Sequence, residues 1–249
     1  MGSSILQFLA TFLASAVEAV EALTIVLAVG VVRGWRSTLL GVGAAALVLA
    51  AIVAALGPAL QHIPIGTLRV VVGVLLLSFG LQWLRKAVLR ASGYRPQRDE
   101  ASAFARESAE AGSAPAGPAS GVDWYSFTVS FKGVLLEGLE VAFIVVSFGA
   151  TEGFGLAIAA AVTAVVLVVA VGFVVRGPLA RVPENALKFV VGLLLTTFGI
   201  FWAGEGVGVD WPGSDLAILG ILAFLGVVSY TLVRALRRRL ALRPVPAAQ

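Results

Sequence analysis

The sequence predicts an all-α polytopic membrane protein of about seven transmembrane helices, arranged as two inverted three-helix repeats followed by a seventh helix. Three observations support this fold class. The 249 residues are 59% hydrophobic and only 13% charged, which is about half the charged fraction of an ordinary soluble domain. Several stretches of about 18 or more residues carry almost no charge, and that length crosses a bilayer as a helix. Finally, the second half of the chain repeats the residue pattern of the first half.

Seven apolar stretches are the candidate spans. They cover Ile5–Val32, Ser37–Leu60, Leu68–Leu89, Trp124–Gly149, Phe154–Val175, Ala186–Ala203 and Leu216–Leu236. Residues 91–123, between the third and fourth spans, are rich in Ala, Ser, Gly, Pro and charges of both signs, which is typical of a disordered linker. The predicted organisation is therefore a first repeat over 1–90, a cytoplasmic linker over 91–123, a second repeat over 124–205, and a seventh helix with a basic tail over 206–249.

Basic residues collect in alternate loops, which predicts the orientation of the chain. They follow the first, third and fifth spans and fill the C-terminal tail: Arg33, Arg36, Arg85, Lys86, Arg90, Arg95, Arg98, Arg106, Arg176, Arg181, Arg234, Arg237, Arg238, Arg239 and Arg243. By the positive-inside rule the N-terminus lies outside and the C-terminus in the cytoplasm, in a cell (inner or plasma) membrane. Because these residues separate apolar segments instead of forming one basic face, the bilayer is the expected partner and nucleic acid is not.

The repeat is defined by an offset of 119 residues, the separation of Glu18 from Glu137. The same offset matches Glu21 with Glu140, Gly30 with Gly149, Gly34 with Gly153, Pro64 with Pro183, Gly73 with Gly192, Gly80 with Gly199 and Trp83 with Trp202. Between Pro64–Trp83 and Pro183–Trp202, ten of twenty positions are identical. Each repeat holds three spans, an odd number, so the second repeat is inverted relative to the first. Many secondary transporters follow this plan, with a site near the bilayer midplane where the repeats meet.

Each repeat carries two glutamates in the middle of an apolar span. Glu18 and Glu21 lie in the first span, and Glu137 and Glu140 lie in the fourth. A spacing of three places both carboxylates of a pair on one face of a helix. On the same faces fall further polar residues, namely Gln7, Thr11 and Ser15 in the first span and Ser126, Ser130 and Ser147 in the fourth. An acidic residue at the centre of a span costs roughly 3 kcal/mol on insertion scales, so four cost on the order of 10 kcal/mol. Hydrogen bonding between helices is more usually provided by uncharged side chains, which favours a functional role for the four glutamates.

Oxygen ligands of this kind suit a hard or borderline metal cation. The chain has no cysteine, a single histidine and a single methionine, so thiolate sites, iron–sulfur clusters and paired histidines are excluded. Iron, manganese, calcium or magnesium would fit, whereas copper(I) would not. The residues thus predict Glu18, Glu21, Glu137 and Glu140 as ligands of a transported cation, with no permanently bound cofactor. Protons compete for the same oxygens, so movement of the ion can be proton-coupled.

The sequence Glu137-Gly138-Leu139-Glu140 resembles the last four residues of the Arg-Glu-Gly-Leu-Glu motif of the oxidase-dependent iron/lead permease family. Members of that family have seven spans and carry the motif in the first and fourth. Glu18-Ala19-Val20-Glu21 is similar to a degenerate copy, and the motif arginine is replaced by Val17 and Leu136. The resemblance implies a divergent member that transports iron or a similar ion through the four glutamates. A separate oxidase or periplasmic protein is the partner that it implies.

Other functions are open at this stage. A three-plus-three repeat also suits an exporter of small organic solutes, and the chain could instead be a non-transporting membrane subunit of a larger complex. An enzyme is not expected, since no span holds a Ser/His pair, a His-Glu-x-x-His motif or paired aspartates. The sequence does not indicate an oligomeric state.

Overall fold

The computed structural model of the protein describes residues 2–60, 62–115, 117, 121–175 and 183–242. Within these ranges the chain forms helices and no strand. The helices are α1 (Gly2–Arg33), α2 (Trp35–Leu60), α3 (Ile65–Ala91), α4 (Glu100–Ser113), α5 (Trp124–Glu152), α6 (Phe154–Val175), α7 (Glu184–Gly206) and α8 (Leu216–Ala241). Arg176 and Arg181 of the predicted basic loop, and residues 243–249 of the predicted tail, lie outside the described residues.

Seven of the helices in the described part of the chain are long and apolar enough to cross a membrane, namely all but α4. This confirms the predicted fold class. Six of the seven extend beyond the predicted spans, α8 by five residues into a run of arginines. The extension has a simple cause, since backbone hydrogen bonding continues along a helix after the apolar stretch has ended.

The prediction of a disordered segment over 91–123 is wrong for Glu100–Ser113, which form α4. Asp99 caps this helix, because its carboxylate accepts hydrogen bonds from the backbone N–H groups of Ala101 (3.3 Å) and Ser102 (3.2 Å). The side chains of Ala103 and Ala111 are buried. A polar helix of this length is marginal in isolation, so contacts with the rest of the protein stabilise it.

The helices divide into two compact units that do not follow the repeat boundaries. Unit 1 contains α1, α2, α4, α5 and α6, and unit 2 contains α3 from Arg69 onward, α7 and α8. Each unit therefore combines equivalent helices of both repeats: α1 and α2 with α5 and α6, and α3 with α7.

Contacts within unit 1 repeat at the offset of 119 residues. The chain turns sharply from α1 into α2 at Gly34 (φ 103°) and from α5 into α6 at Gly153 (φ 112°), a backbone conformation that favours glycine. Helix α2 packs on α5, where Leu49 lies against Gly138. In the equivalent contact, Val168 of α6 packs on α1 in a cluster with Val20 and Ala19. The packing of unit 1 thus has the approximate two-fold symmetry expected of inverted repeats.

Unit 2 shows the same symmetry in the pair formed by α3 and α7. Its close contacts join Gly73 to Ala203, Leu77 to Gly199, Gly80 to Thr196 and Leu84 to Gly192. Residue numbers rise along α3 as they fall along α7, so the two helices are antiparallel. Adding 119 converts the contacts of Gly73 and Gly80 into those of Gly192 and Gly199, with the two helices exchanged. Glycine lets the helix backbones approach closely here.

Candidate metal centre

A continuous band of polar side chains runs along α1 and is buried throughout. Its members follow one another at spacings of three or four residues, so each lies beside the next on the helix surface. They are Gln7, Thr11, Ser15, Glu18, Glu21 and Thr24, and each is at most 4% exposed. The side-chain oxygens Gln7 Oε1, Thr11 Oγ1 and Ser15 Oγ make no hydrogen bond to any described residue. Buried polar atoms normally have partners, and these three oxygens can accept a hydrogen bond from water or bind an ion.

Helix α5 runs antiparallel to α1 and brings its own glutamates to this band. Near the start of α1, the amide Nε2 of Gln7 donates a hydrogen bond to the carbonyl oxygen of Phe148, near the end of α5 (3.3 Å). At the other end of α1, Arg33 Nε is 2.8 Å from Asp123 Oδ2, just before α5 begins. Between these ends, Ile25 lies against Gly133. The middle of α1 therefore faces the middle of α5.

Three of the four predicted glutamates meet where the two helix centres face each other. One carboxylate oxygen from each of Glu18, Glu137 and Glu140 lies within 4.8 Å of the other two. Glu18 is 1% exposed, and the other two are half-buried. One residue comes from the first repeat and two come from the second, so the group joins the repeats within unit 1. The sequence predicts four glutamate ligands from both repeats; three of them meet here, and their role as ligands stays a prediction.

Two residues of the predicted polar faces lie elsewhere. Glu21 is buried (4% exposed) but does not belong to the three-carboxylate group among the described residues. Ser126 Oγ donates a hydrogen bond to Asp123 Oδ2 (2.6 Å) at the start of α5, and thus helps to cap that helix. Ser130, one turn further along α5, is fully buried, and its hydroxyl has no hydrogen-bond partner among the described residues.

The donor set fits a hard or borderline divalent cation. Three carboxylates converging from two helices offer oxygen ligands with a formal charge of −3 when ionised. An ion of charge +2 between them would offset most of their mutual repulsion. The residues that precede Glu18 and Glu137 add no positive charge, because Val17, which is buried, and Leu136, which is 59% exposed, are apolar.

Sequence reasoning assigned Arg33 to a cytoplasmic loop and missed its contacts. The guanidinium group donates to both carboxylate oxygens of Asp123 (2.8 and 3.2 Å) and to the backbone carbonyls of Ala111 (3.1 Å), Ala114 (3.2 Å) and Pro115 (2.8 Å). The hydrogen bond from Arg33 holds the pKa of Asp123 well below its usual value, at about 2. Arg33 therefore joins the end of α1 to the end of α4 and the start of α5.

Glu100, in the first turn of α4, is the second residue that sequence reasoning missed. It is 3% exposed, and its Oε2 accepts a hydrogen bond from Thr24 Oγ1 of α1 (2.8 Å). Thr24 is the last member of the buried polar band, so Glu100 extends that band onto α4. The sequence signal was Asp99 as a helix cap before an alanine-rich segment.

No family model matches the chain, and comparison with curated proteins and with solved structures gives no match either. The fold and the site define an all-helical membrane protein with a partly buried group of three glutamates where two repeats meet. What the protein does has to be inferred from that geometry.

Proposed function

We propose that the protein is a membrane transporter for a divalent metal cation, iron or a chemically similar ion such as manganese. Glu18, Glu137 and Glu140 would bind the ion during its passage. The observation that carries this proposal is the convergence of their carboxylate oxygens within 4.8 Å, in the middle of two apolar helices. The resemblance of Glu137-Gly138-Leu139-Glu140 to the iron/lead permease motif supports the same cargo.

The buried polar band on α1 supports transport over static binding. A structural ion needs ligands only at its site, whereas Gln7, Thr11 and Ser15 carry polar oxygens from the start of α1 to Glu18. Burying such groups without partners costs roughly 1–3 kcal/mol each, as judged from mutational data. Water or an ion moving along the band would remove that cost, which is a reason for a transporter to have these residues.

The test is metal uptake by the purified protein in liposomes, with Mn²⁺ or reduced Fe²⁺ as the probe. We expect the unaltered protein to take up the ion and Glu137→Gln to reduce the rate about 100-fold, because loss of a charged ligand weakens both binding and selectivity. Uptake should also fall as the external pH is lowered, because protons compete for the carboxylate oxygens.

Glu21→Gln is the matched control, since Glu21 lies on α1 one turn from Glu18 and is also buried. We expect this variant to keep most of the uptake rate. An equal loss in Glu21→Gln would extend the site to Glu21, as the sequence repeat predicts. Full uptake by Glu137→Gln would assign the glutamates to hydrogen bonding between helices. Absence of uptake by the unaltered protein would exclude both ions as cargo.

A further inference from the structure

Helix α4 enters unit 1 from the end at which Arg33 and Asp123 lie. Its C-terminal end is held at the end of α1, where the carbonyls of Ala111 and Ala114 accept hydrogen bonds from Arg33. Its first residue, Glu100, is bonded to Thr24, nine residues earlier in α1. At a rise of 1.5 Å per residue, that is about 13 Å deeper along the axis of α1. The N-terminal end of α4 is therefore inserted between other elements of unit 1.

The inserted end meets the buried polar band of α1. Glu18, Glu21 and Thr24 follow one another at intervals of three residues, and Glu100 continues the series from α4. Along the axis of α1, Thr24 is about 9 Å from Glu18. An ion leaving the three-carboxylate group toward this end of α1 would pass Glu21 and then meet the Glu100 carboxylate.

The contacts of α4 suit an element that can be released. Polar groups hold both ends, Glu100 at one and the carbonyls facing Arg33 at the other. The fully buried apolar side chains of α4 are the small Ala103 and Ala111, and Phe104 is half-buried. Two alanines and one half-buried phenylalanine bury less apolar area than a leucine-lined face would, so releasing α4 costs less.

We propose that α4 is the gate at this end of the transport path and that Glu100 is the carboxylate that closes it. In the state described here Glu100 is bonded to Thr24 and the path is shut. Movement of α4 away from α1 would carry Glu100 out of the band and open a route from the glutamate group. This inference rests on the proposed transport function, and the experiment below separates the two.

The experiment uses the absence of cysteine from the chain. A Cβ at Gly112 would lie 3.8 Å from Cγ1 of Val32, the position that Sγ of a cysteine at residue 32 can take, so a shift of under about 1 Å brings the two cysteines to disulfide distance. Oxidised Val32→Cys/Gly112→Cys should therefore fix α4 to α1 without altering Glu100 or Thr24. The matched control is Val32→Ser/Gly112→Ser, which cannot form the cross-link.

The first measurement does not depend on the cargo. Glu21→Cys is added to both double variants in detergent, and the rate of its reaction with a small water-soluble thiol reagent is compared. We expect the cross-linked protein to react at least tenfold more slowly than the serine control, because a fixed α4 keeps the band closed. Equal rates in the two proteins would overturn the gate.

The second measurement is Mn²⁺ uptake by the cross-linked protein without the Glu21→Cys reporter. We expect at least a tenfold loss, with full recovery after reduction by dithiothreitol. Equal uptake before and after reduction would also overturn the gate. Protection of the Glu21→Cys reporter in a protein that transports no Mn²⁺ would leave the gate in place and refute the cargo.

Discussion

Helices α1 and α5 in unit 1, and α3 and α7 in unit 2, are two antiparallel pairs of repeat-equivalent helices with opposite chemistry at their contacts. In the α3–α7 pair, Gly73, Gly80, Gly192 and Gly199 lie directly against the partner helix. In the α1–α5 pair, Glu18 faces Glu137 and Glu140, and hydroxyl groups line the faces on either side.

The same repeat symmetry therefore produces two different kinds of helix contact. Where the repeated residue is glycine, duplication brings backbone against backbone, and close packing holds the two helices together. Where the repeated residue is glutamate, duplication brings like charges together, and such an arrangement is stable only with a proton or a cation between them. Rigid packing and a cluster of carboxylates can therefore come from one repeated three-helix pattern.

The largest effect is expected from substituting the glutamates that α1 and α5 bring together. If the three glutamates bind one ion, Glu18→Gln and Glu137→Gln should each reduce metal uptake about 100-fold, and the double variant should be little worse than either, because residues that act as a unit are not additive. Initial uptake rates in liposomes measure this. Losses that multiply to about 10,000-fold in the double variant would indicate two independent sites.

The next effect concerns the glycine contacts of unit 2 and is one of stability. A Cβ at Gly80 would collide with the backbone of Thr196, and one at Gly199 with the backbone of Leu77. We expect Gly80→Ala and Gly199→Ala each to lower the free energy of unfolding by about 3 kcal/mol, since tightly packed helices cannot move apart without loss of other contacts. Thermal unfolding in detergent micelles is the measurement.

Gly220→Ala in α8 is the control for these two variants, because a Cβ there meets no atom within 4 Å. It should be neutral or stabilising by up to about 1 kcal/mol, as alanine is the better helix former. An unfolding temperature for Gly80→Ala at or above that of the unaltered protein would refute the close contact between α3 and α7.

Much of the difference between the α1–α5 pair and the α3–α7 pair could be predicted from the sequence. The spacing of Glu18 and Glu21, its recurrence at Glu137 and Glu140, and the repeated glycines depend on helical periodicity alone, which is a local property. The convergence of Glu18 with Glu137 and Glu140 followed from the inverted repeat. The position of Glu21 outside that group could not be predicted from the repeat. A spacing of three turns its side chain about 60° from that of Glu18, and only tertiary packing decides what each side chain faces.

Helix α4 could not be predicted with the same methods. Apart from Phe104, its residues are polar or small, so no apolar periodicity marks a buried face. Its stabilising partners, Arg33 and Thr24, are 78 and 76 residues away in sequence from the groups of α4 that they contact. Arg33 also fitted the positive-inside pattern as a loop residue, and nothing in that pattern indicates a second role as a hydrogen-bond donor to α4 and Asp123.

The smallest effect is expected from a single hydroxyl group in each region, and it separates a transport path from ordinary packing. Thr11 in α1 is fully buried, and its hydroxyl has no hydrogen-bond partner among the described residues. Thr196 in α7 is equally buried, but its hydroxyl donates a hydrogen bond to the carbonyl oxygen of Gly192 (2.6 Å).

Valine has nearly the shape of threonine without the hydroxyl. If water or an ion occupies the band on α1, Thr11→Val should reduce metal uptake a few-fold while stability stays equal or rises by less than about 1 kcal/mol. Thr196→Val should instead lower stability by about 1 kcal/mol and leave the uptake rate of the folded protein unchanged. Uptake and thermal unfolding of both variants decide between these roles. Unchanged uptake in Thr11→Val would mean that the polar band of α1 is no route for the ion, even if the glutamates bind it.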